Sequence, residues 1–570
     1  MTRAAVVYLR HWKATGTRAS RHSAYEMLRG VTYLQTATGP DAGNVVLWMQ
    51  PDGTLNPSAD PVELPDPSDS DASYWLARTI WALGEGYAAF RTSDPSFAAF
   101  LEERLDLSIA ALDRQVLDAY GEHLDIDGQP APAWLIADGG DASAEAVLGL
   151  SAYVDAGGPD SARRALTRLT RGIAELGGGN ARHWPFGAVR PWALSRSLWH
   201  AWGSQMPAAL ARASVVLGKP RLAEGATRDS FTFDPWLLTS GGPDNGRMPT
   251  RGDASQIAYG ADARLQSLLA TADASGRGAR GGARGLAGIV AAWYFGANPA
   301  GVAMYDPTTG RTFDGISATG EVNPNSGAES TIHGLLSMIA LDAHPAVARQ
   351  AQTATVRSRR GTVTVQAEEG ALSGAASSVV PESLWTGESL FGGTGYAALD
   401  DGGSVTLTLP SQGRALVMPV LDLTPASVAE TTFRSGGRTL GTVRSGAVGD
   451  QGDSPAPGAL LPVSLGRNLP SGTTSLTATT TSTAGDPAVL DAVMIEPLVS
   501  RLVLAGNGGG TALLRSAATR ATWVRVSVPG GGAARVTTYD GKGDRKVRRS
   551  TSSRVVSVRV PAGGFALVTR

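Results

Sequence analysis

Residues 72–90 read ASYWLARTIWALGEGYAAF, and residues 97–117 read FAAFLEERLDLSIAALDRQVL. In both stretches apolar side chains recur at three- and four-residue spacing, the period of a helix with one buried face. Between them a short polar loop holds Asp94 and Pro95, which breaks the pattern and restarts it. The unit is therefore a helical hairpin. The same period returns at residues 23–36, 142–154, 162–176, 192–217, 255–270, 286–295 and 328–341, with Gly/Pro/Asp-rich loops such as GGPD (157–160) and GGGN (177–180) between them. This repetition predicts an N-terminal all-α toroid of hairpins, (α/α)6, over residues 1–345. A complete ring needs twelve helices, and this count falls short of it. From about residue 361 the period changes to two, and residues 362–366, 404–409, 489–495, 524–528 and 555–560 read as strands. The second half is expected to be all-β: a linker at 345–360, a jelly-roll sandwich at 361–498 and a small β unit at 499–570.

Composition separates the halves further. All seven His lie between His11 and His344, and most of the 13 Trp precede residue 300, so the helical half carries the side chains that do chemistry and stacking. Cysteine is absent, which excludes disulfides, thiolate catalysis and Cys-ligated metals. With 50 Lys+Arg against 51 Asp+Glu, the chain lacks the basic excess of a nucleic-acid binder. No apolar run reaches the length of a transmembrane span, and the first residues show no export signal.

Two motifs carry a resemblance. Residues 293–299 (WYFGANP) are similar to the aromatic–Gly–x–Asn–Pro motif of family nine glycoside hydrolases, and residues 325–333 (NSGAESTIH) open a helix where that family has its Asn-Glu pair. Residues 66–71 (DPSDSD) resemble more loosely the family's Asp-x-x-Asp element. The resemblance covers roughly residues 20–345 and implies an (α/α)6 barrel that cleaves glycosidic bonds by inversion, without a catalytic cofactor. It implies Glu329 as general acid and Asp71 or Asp69 as base, with Tyr74 and Asn298 beside the substrate. The family's His-His-Arg loop is replaced by residues 305–315 (YDPTTGRTFDG), so the resemblance extends to acid/base logic and not to a cellulose substrate.

Inversion needs a protonated carboxyl and a carboxylate on opposite sides of the bond, roughly 6.5–9.5 Å apart. Glu329 as acid requires partial burial to raise its pKa. Ser326-x-x-Glu329 is also a capping box, and Asp69 and Asp71 are also ordinary helix caps. Residues 138–141 (DGGD) rival the base assignment, or cap the helix that follows. Trp184, in a Gly/Pro loop, is expected to stack on a sugar. Asp253 either binds sugar hydroxyls or caps a helix, and His333, four residues after Glu329, either touches substrate or is a core histidine.

The sandwich resembles the galactose-binding-like jelly rolls of bacterial carbohydrate-binding modules, on residues 365–370 (VQAEEG), 392–396 (GGTGY) and 490–495 (LDAVMI). The resemblance implies a structural calcium held by Glu368 and Asp491; as strand-end acids, both equally suit plain solvent exposure. The basic run at residues 542–549 (KGDRKVRR) reads as a solvated hairpin or a contact for acidic glycans. The expected partner is a poly- or oligosaccharide, met outside the cell or at its surface. Two alternatives stay open: a lyase or phosphorylase on the same barrel, the lyase working through Tyr259 and His333, and a non-catalytic glycan binder.

Overall fold

The helical period resolves into paired helices, each a long helix followed by a return. In the computed structural model, which describes residues 1–46, 48–49, 52–53, 55–56, 71–352, 355–410, 413–506 and 509–570, the pairs are α1 (Thr2–Thr15) with α2 (Arg18–Tyr33), α3 (Tyr74–Phe90) with α4 (Pro95–Gln115), and α5 (Gly140–Asp155) with α6 (Asp160–Glu175). They continue with α7 (Met206–Val216) and the short α8 (Glu224–Arg228) and α9 (Asp234–Thr239), then α10 (Ala258–Ala274) with α11 (Arg277–Ala291), and α12 (Ala328–Ala343) with α13 (Pro345–Ala351). The leading helix of each pair packs on the next: α1 on α3, then α5, α7, α10 and α12, which closes back on α1. The molecule's first half is thus an (α/α)6 toroid. Because each outer helix returns the chain, all six inner helices start at the same end of the ring.

Local sequence explains the parts. Asp94 accepts the Phe97 N–H at 3.1 Å and Pro95 takes the first turn, so α4 starts where the loop broke the pattern. In α6 the buried set Ala162, Ala165, Leu166, Leu169 and Ile173 forms one stripe, as an outer helix requires. α5 is buried nearly all round, as an inner one requires. α3 and α5 meet at glycines: a Cβ on Gly84 would sit 2.2 Å from the Gly149 carbonyl oxygen, so no larger residue allows this approach.

The first residues, outside the periodic stretches read from sequence, form inner helix α1, with Ala5, Val6, Val7 and Leu9 buried. Two expectations are corrected. Residues 192–217 are not one helix; the chain crosses as a loop, with Gly203 at φ 65°, and only Met206–Val216 is helical. Residues 345–360 are not a linker but helix α13 followed by strand Thr355–Arg360, which pairs with Val499–Gly506. The jelly roll is therefore inserted into the C-terminal β unit.

The sandwich packs two antiparallel sheets, one containing Ala415–Leu423 and Ala488–Pro497, the other Ser404–Thr408, Ser475–Thr481 and Glu430–Ser435. Strand Ala415–Leu423 is apolar without alternation because both its faces are covered. Val417 and Leu421 enter the sandwich core, while Leu416, Met418 and Val420 pack on Phe186, Trp199 and Trp236 of the helical half. The C-terminal sheet likewise lays Leu502, Leu513, Phe565 and Leu567 against the helical core around Leu286. No helix among the described residues is long and apolar enough to cross a membrane.

Candidate active site

The starts of the inner helices bring a set of polar side chains to one end of the ring. α1 supplies Arg3, α3 supplies Tyr74 and Arg78, α5 supplies Asp141 and Glu145, α10 supplies Tyr259 and Asp262, and α12 supplies Glu329 and His333. The loop before α7 adds His200 and Trp202, stacked on each other at 3.6 Å between ring centres.

Asp141 lies at the centre of the first group and is 2% exposed. The Tyr74 hydroxyl donates to its Oδ2 at 2.7 Å, the Ala142 N–H donates to its Oδ1 at 2.8 Å, and His200 Nε2 stands 3.6 Å from Oδ2. Burial outweighs these donors and pushes the carboxyl up to about 7. His200 is pushed down to about 4 by burial, and its Nδ1 faces the Trp202 carbonyl at 2.6 Å. The ring is therefore neutral, with its proton on Nδ1 and a lone pair at Nε2 facing Asp141.

The second group is a relay of pairs. The Tyr259 hydroxyl donates to Glu145 Oε1 at 2.6 Å, and Arg78 Nε donates to Oε2 at 2.8 Å. Tyr259 stacks on His333 at 3.8 Å. His333 Nδ1 meets Asp262 Oδ2 at 2.8 Å, and Arg3 Nη1 donates to its Nε2 at 2.9 Å. Arg3 also covers the Tyr259 ring at 5.0 Å and pairs with Glu329 Oε2 at 2.9 Å. Burial holds His333 below its ordinary value against the pull of Asp262.

The residues singled out from sequence fall in different places. Tyr74 and His333 join this cluster, and Glu329 stands at its rim with 46% of its side chain exposed. The burial asked of Glu329 is found at Asp141 instead. Glu329 does not form the capping box: the N-cap is Gly327, and Ser326 pairs with Thr331 at 3.2 Å. Asp71 is exposed just ahead of α3, its Oδ1 on the Ala72 N–H, while Ser73 caps the helix. Asp69 lies outside the described residues. Trp184 is not at the ring mouth; it packs with Phe186 and Trp236 beneath the sandwich and donates to the Arg196 carbonyl. Asn298 spends its amide on the carbonyls of Trp293 and Val302 and on the Gly301 N–H, which ties the WYFGANP turn. Asp253, exposed, accepts the Ser255 N–H at 2.9 Å.

Asp141 was visible in sequence as a rival, while Glu145, Arg78, His200 and Arg3 were missed. A signal for them exists: in three inner helices the opening turns hold polar pairs at i and i+4, namely Tyr74/Arg78, Asp141/Glu145 and Glu329/His333.

In the sandwich, Glu368 Oε1 accepts the Thr394 N–H at 2.8 Å and Asp491 Oδ1 accepts the Gly392 N–H at 2.6 Å, so both reach one turn. Gln366 Oε1, Glu368 Oε2 and Asp491 Oδ2 are buried there without a hydrogen-bond partner. Orphaned oxygens of this kind suit a hard cation, and the donor set fits a calcium ion.

No family model and no curated protein matches the sequence. Among solved structures, the chain is similar to a sugar epimerase from a ruminal bacterium, at 14% identity over 60% of this chain and 86% of that one, with a TM-score of 0.42. It is similar to cellobiose 2-epimerase from Spirochaeta thermophila DSM 6192, at 13% identity over 61% and 85%, with a TM-score of 0.44. A carbohydrate-binding module of Cellvibrio mixtus lichenase 5A, solved with cellotriose, matches 24% of this chain and 95% of its own at 17% identity, with a TM-score of 0.17. The toroid assignment itself stands on the closed ring of helices.

Proposed function

We propose that the protein is an inverting glycoside hydrolase in which Asp141 donates the proton to the leaving oxygen and Glu329 activates the attacking water. The observation that carries this reading is the buried Asp141 carboxyl, raised to about 7 and so available as an acid at neutral pH. Asp141 and Glu329 are each the second residue of an inner helix, and α5 and α12 stand opposite in the ring. With neighbouring axes about 9 Å apart, opposed axes of a hexagon are about 18 Å apart, which leaves room for a sugar and a water between the two side chains. Glu329 is open to solvent and paired with Arg3, an environment for a water-activating carboxylate. Trp202 at the rim offers an apolar face to a sugar, the role first assigned to Trp184. The lyase reading has less support: the Tyr259 proton is held by Glu145 and its pKa lies far above the ordinary value, the reverse of what a tyrosine base needs.

The roles are separable. Glu329→Gln is expected to lose activity on every glycoside, activated or not, and to regain part of it with azide, which replaces the water. Full activity of this variant on an aryl glycoside sinks the assignment.

The pH profile carries a signed prediction. As acid, Asp141 must keep its proton, so kcat/KM falls as pH rises past about 7. The Tyr74 hydroxyl favours the ionised form, so Tyr74→Phe raises the Asp141 pKa and moves this limb to higher pH. A limb that stays put, or moves down, contradicts the role of Tyr74.

The sandwich would serve glycan binding, with Trp385, 43% exposed, as a stacking surface. A polymeric glycan substrate would be met outside the cell or at its surface. Gln366, Glu368 and Asp491 would hold calcium as a structural brace. Chelation is expected to lower the melting temperature by about 5–10 °C, from about 2.7 kcal/mol of linkage at a hundredfold excess over Kd, and added calcium restores it. Asp491→Asn should melt at one temperature with or without chelator.

A further inference from the structure

A second concentration of charge lies at the opposite end of the ring from Asp141, where α11 begins. Residues 277–285 read RGARGGARG, and positions 277, 280, 281, 284 and 285, one helix face, border a cleft of about 510 Å3. The facing wall is the C-terminal sheet. There Arg535, Thr537 and Tyr539 alternate onto one face, with Arg548 across from Thr537 and Arg545 across from Tyr539.

Six arginines thus line one cleft, and no carboxylate lines it. Among the described residues the one carboxylate paired with any of them is Asp273, 3.7 Å from Arg284. The whole chain has a formal net charge of −1, so this is a local excess and not a general one. The helix also gives up propensity here. A Cβ on Gly282 would meet Tyr539 at 3.0 Å and one on Gly285 would meet Leu567 at 2.4 Å, so the glycines let sheet and helix close while the arginines flank the contact.

Like charges gathered in one cleft repel, and a multiply charged anion lessens that repulsion. The planar fork matches carboxylate and sulfate oxygens in pairs. Along α11 the rise from Arg277 to Arg284 is about 10.5 Å, longer than one small ion, which suits a chain of charges. Tyr539, the aromatic in the wall, is 3% exposed and stacked on Phe565, so no platform is left for a nucleobase. We propose that this cleft binds a segment of acidic polysaccharide bearing uronate or sulfate groups, at a site separate from the ring mouth. The choice of a glycan rests on the hydrolase reading; the anion site does not.

Isothermal titration of the full chain with a heparin-derived octasaccharide and an oligogalacturonate, beside cellohexaose and an octathymidylate, tests this at low and moderate salt. The acidic oligosaccharides are expected to bind and to weaken with salt, while the neutral one does not bind the cleft. Combined Arg277→Ser, Arg545→Ser and Arg548→Ser, all exposed positions, should weaken binding about tenfold, and Arg535→Ser alone about threefold. Asp141→Asn should bind as the parent does. Unchanged affinity in both arginine variants, loss in Asp141→Asn, or equal binding of the octathymidylate overturns the proposal. Arginine-dependent binding by a chain that hydrolyses no glycan supports the cleft and counts only against the hydrolase reading.

Discussion

Asp141→Asn is expected to lower kcat/KM on unactivated glycosidic bonds by about 10²–10⁴-fold, the usual worth of a positioned general acid. On aryl glycosides with good leaving groups the loss should be small, because those bonds break without a proton. The same variant makes an opposite prediction for stability. Asp141 moves from 3.8 to about 7 on folding, so the fold holds its proton more tightly than the unfolded chain does. Its contribution is present below pH 3.8 and is lost as pH rises toward about 7, where the buried group ionises. Asparagine carries no such cost. Its melting temperature should equal the parent's near pH 4 and exceed it at pH 8, which reads as activity exchanged for stability. Thermal melts at the two pH values check this, and a variant less stable than the parent at pH 8 contradicts it.

Arg264→Met is expected to be the most damaging single change to the toroid. Arg264, fully buried on α10, grips both oxygens of Asp234 at 2.9 Å and also meets Asp229, which binds the outer segment α8–α9 to the inner ring. Breaking a buried pair by removing one partner costs about 3–5 kcal/mol, since it leaves buried charge uncompensated. Here two carboxylates are stranded, both already pushed up by burial, so the deficit should grow as pH rises and their protons must be retained. Adding Asp229→Asn and Asp234→Asn should recover much of the loss. Urea titration of the single and triple variants at pH 5 and 8 measures the effect, and a single variant within about 1 kcal/mol of the parent shows the cluster is replaceable.

Period and punctuation in the sequence located most of the hairpins and the main strands, because those signals are local: residues 97–117 read as a helix, and α4 runs from Pro95 to Gln115. Strand Ala415–Leu423 was not separable by alternation because the toroid covers its second face. The tryptophans at 192, 199 and 202 keep helical spacing yet lie in a loop, since Trp199 is fixed by a bridge to Arg247 rather than by its neighbours. The site divides the same way. Glu329 was visible through a motif, but its surroundings were not: Arg3, 326 residues earlier, meets it only when α12 closes on α1. The strength of Asp141 as an acid depends on its burial and on Tyr74, 67 residues earlier, and neither is legible from the residues beside it.

Two opposed carboxylates acting across one bond invert the anomeric carbon, and proton NMR of the first product formed tests this directly. With a glycan that the protein cleaves, early spectra should show the new reducing end in the anomeric configuration opposite to the bond broken, before mutarotation. A product of retained configuration, an unsaturated sugar or an epimer without cleavage would contradict it.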